Sequence, residues 1–285
     1  MKLGLLINFT EGDLAMLERL AFQSCELICF PDHPLSPTIG ATPDDWKRAR
    51  ERLDAIGVEV SAIGSYTNNL TPDKSTRERS LRHLEQLFDF APLMGCNIIG
   101  TFAGRDPDKA PADNIPEFRK VFVPLIAKAE ERGLKVVIEH CPMFTDSFLR
   151  GTNFAYTPEL WDMMFEAVPS EALGLEYDPS HLIGQGIDYL HVIRQYGRRI
   201  YHCHAKDAEL MPETVQRCGW QDPRISRHRM PGLGQVDWAR VIETLHDIGY
   251  SSNLDIEGRH DPVYRGNEEE KGLEIAVKHL TPLLS

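Results

Sequence analysis

The stretch Arg132–His140, with the sequence RGLKVVIEH, contains the signals that decide the fold of this chain. Gly133 follows a helix-like segment and favours the left-handed conformation that closes helices. The residues Val136–Ile138 are apolar and β-branched, a composition typical of a strand buried in a parallel sheet. Glu139 then adds a carboxylate that would be costly to bury without a partner. The stretch therefore predicts a helix end, a core strand and a polar strand tip in succession.

The same alternation of short apolar runs and longer amphipathic segments continues along the whole chain. This pattern is typical of repeated βα units around a parallel sheet. The predicted strands are 2–8, 25–30, 59–65, 97–103, 135–141, 173–178, 200–206 and 253–258. The predicted helices lie near 12–22, 43–56, 74–94, 114–132, 158–167, 187–196, 237–248 and 268–281. The count is eight units.

Eight parallel units can form either an open doubly wound sheet or a closed barrel. An open sheet usually carries a glycine-rich first turn for nucleotide binding, and the sequence Asn8–Gly12, NFTEG, is not such a turn. The length of 285 residues suits one barrel, and no low-complexity linker divides the chain. We therefore predict an α/β protein with a single (β/α)8 TIM-barrel domain over residues 1–285. The segment 208–236 has no clear periodicity, and we interpret it as a candidate lid.

Composition restricts the class of partner. With 42% hydrophobic and 26% charged residues and no long apolar run, the chain is expected to be a soluble globular protein without a membrane segment. The net charge of −12 opposes non-specific binding to polyanions, so no nucleic-acid partner is expected. The start of the chain is interpreted as a strand rather than an export signal, and the six cysteines form no CxxC pair. These features predict a cytoplasmic location.

Polar residues recur at the ends of the last four predicted strands. In a (β/α) barrel, the carboxyl ends of the strands meet at one face, which forms the active site. Glu139, Asp178, His204 and Glu257 end the fifth to eighth strands and are predicted to converge there. Three carboxylates and one imidazole suit a hard divalent cation, so these four residues are predicted metal ligands. Manganese (Mn²⁺) is favoured, with magnesium, cobalt and zinc as alternatives.

At this point the sequence resembles the xylose-isomerase-like barrel superfamily of sugar isomerases and epimerases, which includes ketose 3-epimerases and inosose dehydratases. The resemblance covers essentially the whole chain. Its most specific parts are Ile138–Glu139, Asp178–His181, His202–Asp207, Met230–Trp238 and Asp255–Glu257. It implies a Glu, Asp, His, Glu metal site, a sugar substrate and a homo-oligomer, commonly a dimer or tetramer. It also implies His181 as a substrate-binding residue, with Tyr66 and Asn68 at the sugar-contacting rim.

The resemblance also implies a reaction through an enediolate. The metal would stabilise the enediolate, while Glu139 and Glu257 act as a catalytic acid and base on opposite faces of the sugar. His181 and Lys206 would bind hydroxyl or carbonyl oxygens. A carboxylate, phosphate or glycoside oxygen would be bound by Arg227, Arg229 or Arg259. The predicted activity is that of a metal-dependent sugar isomerase or epimerase acting on a keto-sugar or keto-glycoside.

Three alternatives remain open from the sequence. The pair Lys206-Asp207 departs from the ketose 3-epimerases and resembles the dehydratase and keto-glycoside branches, so a lyase of the same family is the second choice. An apurinic endonuclease would need additional histidines on the third and fourth strands, where Gly64–Tyr66 and Gly100–Gly104 offer no ligand. A sugar-binding barrel without catalytic activity is the remaining alternative.

Overall fold

The computed structural model describes residues 1–145 and 150–284 and contains a closed barrel of eight parallel strands. These strands are β1 (Leu3–Ile7), β2 (Ser24–Ile28), β3 (Glu59–Ser65), β4 (Ile98–Thr101), β5 (Lys135–Glu139), β6 (Leu173–Tyr177), β7 (Ile200–Ala205) and β10 (Leu254–Ile256). Neighbours in the barrel follow chain order, and β10 pairs with both β7 and β1 to close it. The predicted barrel class and all eight predicted strands are confirmed.

Helices follow the strands and cover the outside of the barrel. They are α1 (Glu11–Arg19), α2 (Pro43–Ala55), α3 (Lys74–Phe90), α4 (Ile115–Glu131), α5 (Pro158–Ala167), α6 (Pro179–Ile183), α7 (Tyr189–Tyr196), α8 (Pro212–Cys218), α9 (Trp238–Asp247) and α10 (Glu269–Leu280). Short 3₁₀ turns occur at Pro37–Ile39, Ala91–Met94, Pro111–Asn114, Gly197–Arg199, Gly266–Glu268 and Thr281–Leu283. No helix in the described part of the chain is long and apolar enough to span a bilayer.

The apolar core lies between the strands and the helices. Trp46, Trp161 and Trp238 on α2, α5 and α9 are fully buried there, together with the outward side chains of the strands. Each helix buries one apolar face because its hydrophobic residues recur at helical spacing. The barrel interior, by contrast, contains many buried polar groups.

The segment 208–236 differs from the prediction of an irregular loop. It includes β8 (Asp207–Leu210) and β9 (Ser226–Arg229), which form an antiparallel two-stranded sheet, and α8 lies between them. Asp207 anchors this excursion, because its carboxylate accepts hydrogen bonds from the backbone amides of Gly232, Gly234 and Val236 and from the indole of Trp238, at 2.9–3.2 Å. The buried Asp207 side chain at the start of the excursion therefore binds the residues at its far end.

Glycines on β3 and β4 make space for a polar side chain inside the barrel. A Cβ atom at Gly100 would lie 2.7 Å from the Tyr66 hydroxyl and 3.1 Å from a carboxylate oxygen of Glu176, and one at Gly64 would also collide with Tyr66 and Glu26. Only a residue without a side chain permits this approach. The glycines of β3 and β4 thus shape the interior of the barrel.

Candidate metal centre

The four predicted metal ligands come together at the carboxyl ends of their strands. Glu139 ends β5, Asp178 directly follows β6, His204 lies in β7 and Glu257 directly follows β10. Each offers one ligand atom, and these atoms all lie within 4.8 Å of one another. Glu139, Asp178 and His204 are buried, and Glu257 is half-buried. The spacing is compatible with a shared cation.

Two buried atoms of this cluster support its fit to a metal ion. His204 Nδ1 has no hydrogen-bond partner, and Asp178 Oδ2 has only ion-pair contacts with Lys206 and His181, although buried polar atoms rarely remain unsatisfied. Asp178 is the N-cap of α6, and its Oδ1 accepts a 2.8 Å hydrogen bond from the Ser180 amide, which leaves Oδ2 facing the cluster. Three carboxylates and an imidazole fit a divalent cation. The residues present therefore fit a divalent metal ion.

Two cationic side chains border the cluster. The Lys206 ammonium lies 2.5 Å from Glu257 Oε2 and 3.2 Å from Asp178 Oδ2. His181 Nε2 lies 3.2 Å from Glu139 Oε1 and 3.3 Å from Asp178 Oδ2. Burial alone would lower the pKa of both groups, but the negative neighbours outweigh it and raise the pKa of each. The surrounding carboxylates therefore favour the protonated form of both groups.

The two carboxylates proposed as catalytic remain ionised. Burial would raise the pKa of Glu139, but its hydrogen bond with His181 and its closeness to His204 outweigh burial and hold that pKa well below the usual range. The Lys206 charge likewise outweighs burial at Glu257 and lowers its pKa. Ionised carboxylates can bind a cation and can accept a proton.

A second buried polar cluster lies below the first, inside the barrel. His202 Nδ1 and Nε2 lie 2.7 Å from Glu176 Oε1 and from Asp255 Oδ2, respectively. Burial alone would lower the pKa of His202, but its hydrogen bonds with Asp255 and Glu176 raise it to about 10. The Tyr66 hydroxyl contacts both Glu26 and Glu176. Although Glu26, Glu176, His202 and His204 are close enough to hold an ion, these hydrogen bonds already pair their polar atoms.

Glu26 connects the two clusters and was missed by the sequence prediction. Its Oε2 lies 2.6 Å from His204 Nε2, on the opposite side of the imidazole from the unpartnered Nδ1. A carboxylate at the second nitrogen of a metal-binding histidine fixes the ring and its tautomer. The available signal was a carboxylate inside the apolar strand Ser24–Ile28, which could not remain buried there without a partner.

We expect manganese to bind the wild-type protein and Glu26→Gln to bind it about tenfold more weakly, because an amide holds the His204 imidazole less firmly. Isothermal titration calorimetry of Mn²⁺ into chelator-treated protein measures this difference. In the same samples, added metal should raise the melting temperature in a concentration-dependent way. Glu59→Gln, on the strand β3 but bonded to Lys2 and Asn253, is the control and should not change affinity. Equal affinities of wild type and Glu26→Gln would contradict this role of Glu26.

A cleft of about 490 Å³ opens above the cluster, and it receives some of the predicted substrate-binding residues. Tyr66, His181, Lys206 and Arg259 line it together with both catalytic candidates. The Tyr66 hydroxyl nevertheless points to Glu26 and Glu176, so only the rest of its ring is available to a ligand. Arg259 is already paired with Asp13 and Glu269.

The other three predicted substrate contacts lie elsewhere. The Asn68 side chain bonds to the backbone of Arg105 and Leu70 and so holds two loops together. Arg227 and Arg229 are on β9, and both bind Glu209 across the hairpin at 2.7–2.9 Å. None of the three lines the cleft. The segment 208–236 was interpreted as a loop without regular structure. That interpretation gave no indication that Glu209, on the paired strand β8, binds these two arginines.

The fold and the cluster together define a (β/α)8 barrel whose buried polar groups meet at the carboxyl ends of consecutive strands. Residues 14–283 match the xylose isomerase-like TIM barrel family, and the chain belongs to this family. It is 31% identical over 250 residues to an inosose dehydratase of Clostridium tetani, covering 83% of this chain and 79% of that protein.

Solved structures show the same fold. The IolI protein with a bound zinc atom has a TM-score of 0.75 at 19% identity, covering 100% of this chain and 98% of that one. A D-tagatose 3-epimerase-like protein has a TM-score of 0.74 at 20% identity, covering 99% and 98%. The expected family is confirmed, and the named relatives include both a dehydratase and an epimerase-like protein.

Proposed function

We propose that this chain is a metal-dependent dehydratase of neutral polyhydroxy ketones. The observation that carries this proposal is the Lys206 ammonium, which lies 2.5 Å from Glu257 Oε2 beside the predicted metal ligands. A site that removes a proton and expels a hydroxyl group needs both a base and an acid. The similarity to an inosose dehydratase also favours this reaction over epimerisation.

The first half of the reaction needs a base next to the ketone. Glu139 and Glu257 are the candidate bases, because both are ionised and both line the cleft. A divalent ion would be held by Glu139, Asp178, His204 and Glu257. When bound, it would act as a Lewis acid that stabilises negative charge on the carbonyl oxygen. A carboxylate then removes the proton from the carbon next to the carbonyl.

The second half needs an acid at the departing hydroxyl. The electron pair left by the proton forms a double bond to the next carbon, and the carbon–oxygen bond on that carbon breaks. Lys206 donates a proton to the oxygen, so water leaves. The enzyme then has one protonated carboxylate and one neutral amine. The direct Lys206–Glu257 contact offers a route that returns the proton to the amine when Glu257 is the base.

Epimerisation is the second candidate, and a specific geometry favours it. Glu139 Oε1 and Glu257 Oε2 lie 3.6 and 3.5 Å from the same His204 Nδ1, so two carboxylates face one small volume. A proton removed by one could be replaced by the other on the opposite face of the substrate. The ion pair to Lys206 weighs against it, because an ionised Glu257 is a poor proton donor.

Incubation in D₂O with a panel of inososes and ketohexoses distinguishes the two reactions. We expect the manganese-loaded protein to form an unsaturated ketone with loss of water, seen by NMR and by ultraviolet absorbance. A carbon of inverted configuration that carries one deuterium would instead establish epimerisation and overturn the dehydratase proposal. Chelated protein is the blank, and absence of both exchange and product across the panel would also overturn it.

A further inference from the structure

Exposed apolar side chains gather around the mouth of the cleft. Among the described residues, seven large hydrophobic side chains are exposed, and four of them line the cleft or the cavity next to it. These four are Phe30, Met143, Phe144 and Trp220. Trp220 is 56% exposed, whereas the other three tryptophans are fully buried. Exposed apolar groups concentrated at a concave site indicate a binding surface.

The adjoining cavity, here called the apolar groove, has a volume of about 260 Å³. It lies between the loop after β5 and the β8–β9 excursion, with Met143 and Phe144 contributed by the first and Trp220 by the second. Four residues line both the groove and the cleft, namely Cys141, Met143, His181 and His228. The groove is therefore a continuation of the cleft and not a separate surface pocket.

The junction between groove and cleft contains unsatisfied polar atoms. Ser180 lines the groove, is 1% exposed, and its Oγ has no hydrogen-bond partner. His228 Nδ1 is also buried without a partner. Buried polar atoms of this kind usually meet a ligand or water. They suit an oxygen atom that links a sugar to a substituent.

The charged side chains near the groove do not favour binding of an anionic substituent in it. Arg227 and Arg229, which could have met a phosphate, are both bound by Glu209. Asp222 lines the groove and adds negative charge there, offset by its pairing with Arg224. Among the described residues that line the groove there is no lysine or arginine, and the His181 imidazole faces Glu139 and Asp178.

We propose that the apolar groove binds a neutral, planar substituent of the substrate, such as the phenyl ring of an aryl glycoside, while the keto-sugar ring occupies the cleft. The inference rests on the proposed function, because it assigns the cleft to the sugar. The Trp220 ring lines the groove and lies at ordinary van der Waals distance, 3.8 Å, from the position that a Cβ atom at Gly186 would take. Aromatic side chains favour stacked or edge contacts with a planar ring.

Binding of the methyl and phenyl glycosides of one keto-glucose tests the groove, because the two probes differ only in the substituent. Trp220 is the exposed tryptophan, so its fluorescence reports occupancy without requiring turnover. We expect the phenyl glycoside to bind about tenfold more tightly than the methyl glycoside to the manganese-loaded protein. Trp220→Ala and Phe144→Ala, assayed by calorimetry, should each remove most of this preference and leave methyl glycoside affinity unchanged.

Val123→Ala is the matched control, because Val123 is an exposed apolar residue on α4 that lines neither cavity, and it should change neither affinity. Equal affinities for the two probes in wild type, or an unchanged preference in Trp220→Ala, would overturn the inference. A change of oligomeric state in Trp220→Ala without a change in preference would assign the groove to contact between copies, which also overturns it. Deuterium exchange from D₂O is measured separately. If the proposed function failed while this inference held, the protein would still prefer the phenyl glycoside but would exchange no deuterium.

Discussion

Glu139→Gln and Glu257→Gln are each expected to lower kcat for proton removal at least about a thousandfold, with the protein still folded. Both carboxylates line the cleft and face His204 Nδ1, and an amide of the same shape cannot accept a proton at neutral pH. The measurement is the rate of deuterium incorporation from D₂O. Metal content of each variant, measured by atomic emission, separates loss of the base from loss of the ion.

The control for these variants is Glu85→Gln, which removes a carboxylate from an exposed pair with Lys128 on the outside of the barrel. It should keep the wild-type rate. If Glu139→Gln or Glu257→Gln retained full metal and more than about a tenth of the rate, its carboxylate would not be the catalytic base or acid, and the mechanism would need another group.

Asp255→Ala is expected to lower the free energy of unfolding by about 3–5 kcal/mol, a cost typical of breaking a buried ion pair. Asp255 is fully buried and binds His202, Ser24 and Ser61, so its removal takes one hydrogen-bond partner from each of three buried polar groups. Urea unfolding of chelated wild type and variant measures the change without a contribution from metal binding.

Glu85→Ala is the comparison for this loss, because its pair with Lys128 is solvent-exposed and should contribute less than about 1 kcal/mol. If Asp255→Ala were no more destabilising than Glu85→Ala, the inner cluster would be well solvated or able to reorganise. The polar interior of the barrel would then not be a determinant of stability.

The barrel could be predicted because each strand has its own local signal. Val136–Ile138 on β5 is apolar and β-branched, and Gly133 before it ends a helix, so the order of elements follows from neighbouring residues alone. The gathering of Glu139, Asp178, His204 and Glu257 followed from one general property of these barrels, the convergence of strand ends. Their assignment as metal ligands remains a prediction.

The sequence did not indicate which polar side chains bind one another in the folded protein. Glu26 and His204 are far apart in the chain and meet only because the barrel closes. Arg227 and Arg229 were interpreted as substrate contacts, but both bind Glu209, which lies on the neighbouring strand of the excursion and is distant from them in the sequence. The direction of a long polar side chain depends on such tertiary partners, whereas strand placement depends mainly on local composition.

The hydrogen bonds between Asp207 and the far end of the 208–236 excursion have an evolutionary consequence. Asp207 holds the far end of the excursion through the amides of Gly232, Gly234 and Val236 and the Trp238 indole, so the barrel strand before it and the helix after it stay joined whatever lies between. We therefore expect the intervening residues, including Trp220, to tolerate replacement by the corresponding segment of a homologous barrel. Substrate range could diversify by such replacement while the four strand-end ligands stay unaltered.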